Sequence, residues 1–563
     1  MLLLDVPPEL VLGIVSYLPL QSIASFYLVS RRCRDLISNN ESSVYHWAAL
    51  LHHFIPSSRV QLAEVLIDHR GKLWDSVTSW KEFCRRRFHL ERNWLGKGRS
   101  VIRTLHRAGN RVHRIKVDEK EQICITTHSH GGITVTQLFP DRTLWTLSSN
   151  YVREYAHCEY GNGFLVFDRI GNYKEVWRLA SHFPPDEPDA CAPDAPPDAF
   201  QQQAALNSSN RWGTSGRGVF KPWALLEMPE PTRAYRFVYP TLLTAGERHA
   251  YLHDVRTGAR VQTIEHTVEM DDLLGVNYVE LGARHVFVCA NEELFVFARA
   301  DGARVMTVTE DDAAEARLIT SGDPPHLYDQ VRSYTSDAVV APVRLRPLDQ
   351  RMSLVCGPRG GIMAVHVSED GRDLVILCER ECVILIENFE RICRQECTFA
   401  DIAVELRLGP GASLSTYLAL EHGRVCVATT DKLLILHLDA SAHGVKPPQR
   451  APHLFRQPLP SFPRLAVHGV PPLDSHLAFV ALSCVQLSDR RVFFTWNAAH
   501  RPPDLELYQD PDESPQPTTL ALVPYSVPVN VGVGSVHVLE PAPIEPFERL
   551  NVGCIDFSIM PET

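Results

Sequence analysis

Four cysteines in this chain are spaced to suit a metal ion. In CERECVILIENFERICRQEC, Cys378, Cys382, Cys393 and Cys397 stand as C-x3-C, ten residues, C-x3-C, and four thiolates are a ligand set for tetrahedral zinc. The run VILIE between them is apolar and β-branched, however, which favours cysteines filling positions on two paired strands. His128 and His130 lie two apart on a predicted strand and so share a face, but no third ligand stands near them in the sequence. Cys33 sits among Arg31, Arg32 and Arg34, and cations lower a thiol's pKa; its place on the apolar side of a helix makes packing the better reading. Nucleophilic catalysis leaves no trace. GTSG at 213–216 lacks the spacing of a nucleophile elbow, and GKGRS at 96–100 has the wrong order for a phosphate cradle. The acidic pairs Asp271-Asp272 and Asp311-Asp312 read as turns. No catalytic constellation and no cofactor follow, so the chain is expected not to be an enzyme.

Composition narrows the classes that remain. The 563 residues are 45% hydrophobic, with 40 prolines against 31 glycines, which suits many short elements over long helices. Fourteen cysteines form no dense disulfide framework and read as reduced thiols in cytoplasm or nucleus. Asp5, Pro7, Pro8 and Glu9 break the apolar N-terminus too early for a secretory leader, and no apolar run is long enough for a membrane span. The net charge is −11, but Lys81 to Lys116 holds twelve Lys/Arg against two Asp/Glu. That run could meet nucleic acid, although a solvated helix face is the favoured reading and nucleic acid is not expected as a partner.

The elements that would position a binding surface begin at once. Leu10, Ile14 and Leu18 recur at helical spacing, with Val11 and Val15 widening the stripe. Pro7 or Pro8 suits the first turn, and Glu9 faces the positive end of the helix dipole. Pro19 fits the exit. Ile23, Phe26 and Tyr27 start a second helix after Ser22, and Val29, Cys33, Leu36 and Ile37 mark a third. Three helices this short cannot enclose a core, so their apolar surface needs a partner. Helix continues through 44–95, where Trp74, Val77, Trp80, Lys81 and Cys84 share a face by spacing.

V-P-P-E-L at 6–10, Ile14, Y-L-P-L at 17–20 and L-V-S-R-R-C-R-D-L at 28–36 together resemble the F-box, the adaptor-docking motif of cullin-RING ubiquitin ligases. The resemblance implies that Pro7, Leu10, Ile14, Leu18, Ile23, Val29 and Cys33 face a Skp-type adaptor; Cys33 stands where the family usually has an aromatic residue. SWKEFCRRRFHLERNWLGKG, with Trp80, Phe83, Arg87, Arg92, Asn93 and Trp94, is similar to the connector that leads from the F-box into the propeller of F-box proteins of the WD-repeat type.

After residue 100 the pattern changes to short alternating or β-branched runs. Those at 249–264 and 293–308 repeat one hairpin, Thr257-Gly258 or Asp301-Gly302 followed by Ala-Arg-Val, 44 residues apart. Such a period is the signature of a β-propeller. The strand centres Val135, Val166, Leu252, Val296, Ile384 and Ile435 leave intervals of 86 and 88 residues, each read as holding one degenerate blade, with 485–497 and 534–540 supplying the last. The count is seven or eight. Two polar stretches, 183–218 and 501–519, read as disordered loops.

The fold class is thus a small all-α F-box (1–45) and helical connector (46–100) followed by an all-β, WD-repeat-like propeller (101–563). The resemblance implies the substrate-recognition subunit of an SCF-type ligase, which binds the adaptor through the F-box and a protein substrate, in some relatives a phosphorylated one, through the propeller. A non-catalytic scaffold without ubiquitin transfer, or a nucleic-acid-associated protein using 81–116, are the alternatives.

Overall fold

The alternating runs after residue 100 pair mostly as antiparallel meanders, and most strands bury one or both faces. The computed structural model describes residues 6–68, 73–105, 107–109, 111–182, 193–266, 275–290, 292–314, 316–321, 338–343, 345–347, 359–409, 413–438, 465–473, 479–497 and 550–560. They form seven sheets, which are the seven blades of a propeller. Blades 1 to 4 span 112–147, 158–227, 234–265 and 278–308, with four strands each in chain order from the centre outward. The innermost strands neighbour one another around a closed ring.

The 44-residue repeat is the outer hairpin of blades 3 and 4. Gly258 and Gly302 have φ of 76° and 77°, the left-handed region that glycine enters without a Cβ penalty, and each donates its N–H four residues back, to Asp254 and Ala298. Both hairpins also carry a bulge at the same place, Leu252/His253 and Val296/Phe297.

Among the described residues, the two long intervals hold insertions and no further blades. Val166 lies on the second strand of its blade, whereas the other five centres lie on third strands, so part of the 86-residue gap is a change of reference strand. A helix occupies much of the rest: Ala199–Trp212 stands inside the segment whose composition suggests disorder. Asp198 caps it by accepting from the Gln201 N–H. Its buried Gln201 donates to the carbonyls of Val176 and Ala224, while Ser208 and Trp212 donate to Thr146, so the helix is held across the outer strands of blades 1 and 2. Polar side chains bind it there, which is why an apolar pattern does not reveal it. In the 88-residue gap, Arg317–Ser321 adds in parallel to Ala403–Arg407 and is followed outward by Leu345–Pro347, while Ala341–Val343 extends blade 6. Blades 5 and 6 therefore have six and five strands. The runs at 501–519 and 534–540 lie outside the described residues.

Blade 7 closes the ring. Val485–Leu487, Arg491–Trp496 and Asn551–Asp556 are completed by Val101–Leu105, whose Val101 sits opposite Asp556. The first strand after the helices is thus the outer strand of the last blade, and hydrogen bonds tie both ends of the propeller together.

Among the described residues, six helices precede that strand: α1 Pro8–Val15, α2 Leu20–Val29, α3 Arg31–Asn39, α4 Glu41–Leu51, α5 Leu62–Asp68 and α6 Trp80–Trp94. Pro19 occupies the N-cap of α2, so this helix starts ahead of Ser22, where the sequence spacing places its cap. Ser79 caps α6 by accepting from the Glu82 N–H; Trp74 and Val77 precede the helix and are buried outside it. Val15, Ile23, Ile37, Phe83 and Trp94 share one apolar cluster with Ile435, Trp496 and Phe557 of the propeller. Helices and blades therefore have a common core.

Candidate functional site

Helix α1 carries two apolar stripes, and only one is used inside the chain. Val11 and Val15 are buried, whereas Leu10 and Ile14, one position earlier at the same spacing, are 60% and 48% exposed. Tyr17, Leu28 and Val29 are more exposed still, at 80%, 72% and 71%. Pro7 is exposed at the N-cap, and Leu18 is half-buried beyond the helix end. Monomers seldom leave this many large apolar side chains in water on neighbouring short helices without an interaction that covers them.

Ile23 and Cys33 differ from the other residues named for docking. Both are buried in the chain's own interior, so they brace the surface from behind. Ser30 caps α3 by accepting from the Cys33 N–H at 3.1 Å, and its hydroxyl donates to the Cys33 sulfur at 3.2 Å. The small thiol fits beside that cap, and packing accounts for it.

Helix α6 fixes these short helices to the propeller. Arg87 reaches Asp489 at 2.6 Å and Glu91 at 3.2 Å, and Glu91 accepts from Arg424 at 2.5 Å. Trp94 donates to the Asp489 carbonyl and stacks on Phe557 at 3.8 Å, while Asn93 donates to the carbonyls of Phe557 and Ile559. Burial would raise the Asp489 carboxyl, but the charges of Arg87, His422 and Arg424 outweigh it and hold the group well below the usual carboxylate range. The contacts on the propeller side lie at the turns Glu421–Arg424 and Ser488–Arg491, which join the first and second strands of blades 6 and 7, and at Phe557 and Ile559 just past the strand Asn551–Asp556. Sequence spacing gives no hint of this lock, because its propeller partners lie 333 to 466 residues away.

Six of the twelve cations in the basic run 81–116 sit in ion pairs, Arg87 among them. Lys81 bonds Glu41, Arg85 and Arg86 bond Glu82, Arg103 faces Asp556 and Lys116 bonds Glu159.

Around the channel, polar contacts link blade to blade. Lys116 reaches Glu159, Tyr235 donates to the His157 carbonyl, and Arg236 reaches Glu280. Glu280 bonds His366, whose other ring nitrogen lies 3.1 Å from the Leu418 carbonyl. Gln486 joins blade 7 to Val117 of blade 1. A cavity of about 140 Å³ lies among these residues. Lys116 with Glu159, Arg236 with Glu280 and Glu280 with His366 link neighbouring blades there, while Glu421, which also lines the cavity, has its carboxyl raised by burial.

The metal candidates do not assemble. Cys378 and Cys382 face each other across a hairpin, and Cys393 and Cys397 lie outside it on the following turn of chain. His128 bonds Thr134 and, among the described residues, has His130 beside it. Among the described residues, no three or more His, Cys, Asp and Glu groups converge on one point. No described helix is long and apolar enough to cross a membrane.

Residues 3–44 match the family described as the F-box domain. No curated protein matches the chain. Among solved structures, it is similar to the β-propeller domain of Cps50 (Swd1) from Myceliophteria thermophila, with 9% identity over 58% of this chain and 84% of that one and a TM-score of 0.35, a likeness that adds nothing to the fold described above. The chain therefore carries an F-box domain at residues 3–44 ahead of a seven-bladed β-propeller.

Proposed function

We propose that the chain is the substrate-recognition subunit of an SCF-type ubiquitin ligase. The carrying observation is the second apolar stripe of α1, Leu10 and Ile14, left open together with Tyr17, Leu28 and Val29. A Skp-type adaptor would cover it, with Pro7, Leu18 and Val29 at its margins and Ile23 and Cys33 supporting it from inside. Each large apolar side chain so buried is worth about 1.5–3 kcal/mol, enough for a handful to hold a stable complex. The propeller would present a protein substrate on the face away from α6. The ligase would then transfer ubiquitin while this chain does no covalent chemistry; its contribution is effective concentration, a bimolecular encounter made local. The free thiols of the described residues suit the cytoplasm or nucleus.

The test is complex formation with a purified Skp-type adaptor by size-exclusion chromatography. Wild type should co-elute and Leu10→Asp/Ile14→Asp should not. A wild type that stays alone would refute the reading and leave the scaffold role in its place. Weak dependence of the complex on salt would separate apolar docking from the steep salt response of nucleic-acid binding.

A further inference from the structure

Cys378 and Cys382 end and begin the second and third strands of blade 5, Leu374–Cys378 and Cys382–Ile386, and are direct cross-strand partners. Opposed residues of an antiparallel pair have Cα atoms about 4.5 or about 5.5 Å apart, depending on the type of pair, and both values fall inside the range of about 4.4–6.8 Å that a disulfide spans. Both side chains point into the same core between blades 4 and 5. Both are free thiols, and each lies within hydrogen-bond reach of the other. Their surroundings differ. Cys378 lines a cavity of about 210 Å³ with Glu292, Arg359, Gly360 and Gly361, while Cys382 is fully covered and burial pushes its thiol well up.

We propose that this dithiol is an oxidative modification site, in which a hydroperoxide entering the cavity oxidises Cys378 and Cys382 then closes a cross-strand disulfide. The Cys378 sulfur attacks the terminal peroxide oxygen; the O–O bond breaks, a Cys378 sulfenic acid forms, and with hydrogen peroxide as oxidant one water leaves. The Cys382 sulfur attacks the sulfenic sulfur, the S–O bond breaks, and the displaced hydroxide takes the Cys382 proton to leave as a second water. Two thiols are oxidised and one peroxide is reduced. The bond would clamp the base of the turn Glu379–Glu381, which ties blade 5 to blade 6: Ser415 N–H donates to the Glu379 carbonyl, and Lys432 pairs with the Glu381 carboxylate at 2.9 Å.

The sequence supplies a clean readout, because Arg380 lies between the two cysteines. Full-length protein is treated with hydrogen peroxide, denatured in N-ethylmaleimide and digested with trypsin. The reduced protein yields DLVILCER and ECVILIENFER as separate, maleimide-labelled peptides; the oxidised protein should yield them joined, with label lost from both and restored by dithiothreitol. In Cys382→Ser, dimedone should trap the sulfenic acid at Cys378. A second measurement needs no substitution: phenylarsine oxide, which bridges adjacent thiols, should protect both peptides from maleimide in the native chain. Peptides that remain separate after peroxide, or that the arsenical fails to protect, would overturn the proposal.

Discussion

Removing the Glu91 carboxylate probes how the helices are fastened to the propeller. Glu91 and Arg424 each have only 3% of their side chain exposed, and Arg424 lies over Trp94 at 4.6 Å. In Glu91→Ala the guanidinium of Arg424 loses its carboxylate in a place water hardly reaches, while Arg87 keeps Asp489. Deleting one partner of a buried pair costs about 3–5 kcal/mol, on the order of a hundredfold or more in the folded-to-unfolded ratio. Replacing both partners by apolar residues removes the stranded charge, so Glu91→Leu/Arg424→Met should recover most of the loss. Urea unfolding followed by circular dichroism on wild type, Glu91→Leu, Arg424→Met and the double variant closes the cycle, with Glu91→Ala measured alongside. A Glu91→Ala loss below about 1 kcal/mol, or a double variant no better than the sum of the singles, would refute a buried electrostatic lock.

Further expectations concern pH, packing and turns. Burial, with Lys97 nearby, pushes His468 down to about 4 despite its backbone hydrogen bond; burial with the charge of His130 or Arg260 does the same to His128 and His253. An unfolded histidine takes its proton near pH 6.5, so the unfolded state binds more protons below that value and stability should fall between about pH 6.5 and 4; a urea midpoint constant over this window would contradict the assignment. Leu10→Asp/Ile14→Asp should leave the melting temperature of the free protein within about 1–2 °C of wild type, whereas Val11→Asp/Val15→Asp, which forces charges into the shared core, should lower it strongly or prevent folding. Gly258→Ala and Gly302→Ala should each cost about 1–2 kcal/mol through the left-handed backbone alone, since a Cβ at either site meets atoms no closer than 3.5 Å; an unchanged thermal melt would show that the turns relax.

The helical stripes and the strand alternation are local features, and the sequence determined them. Side-chain periodicity is set by the backbone geometry of each element, so Leu10, Ile14 and the paired hairpins at Gly258 and Gly302 are legible without any tertiary contact. The F-box pattern lies in one contiguous stretch for the same reason. What periodicity cannot say is which of two adjacent apolar stripes meets the rest of the chain. Val11 and Val15 turn inward and Leu10 and Ile14 outward only because α1 lands on neighbours that touch one side of it. Blade count likewise escaped, since insertions between blades change the spacing without changing the ring; the helix at 199–212 is held by Gln201, Ser208 and Trp212, whose hydrogen-bond partners are backbone and side-chain groups far along the chain. The Arg87–Glu91–Arg424–Asp489 lock and the blade-to-blade contacts around the channel belong to the same class. Their energies depend on burial and on distance in space, and those quantities exist only once the last blade has closed on the first strand.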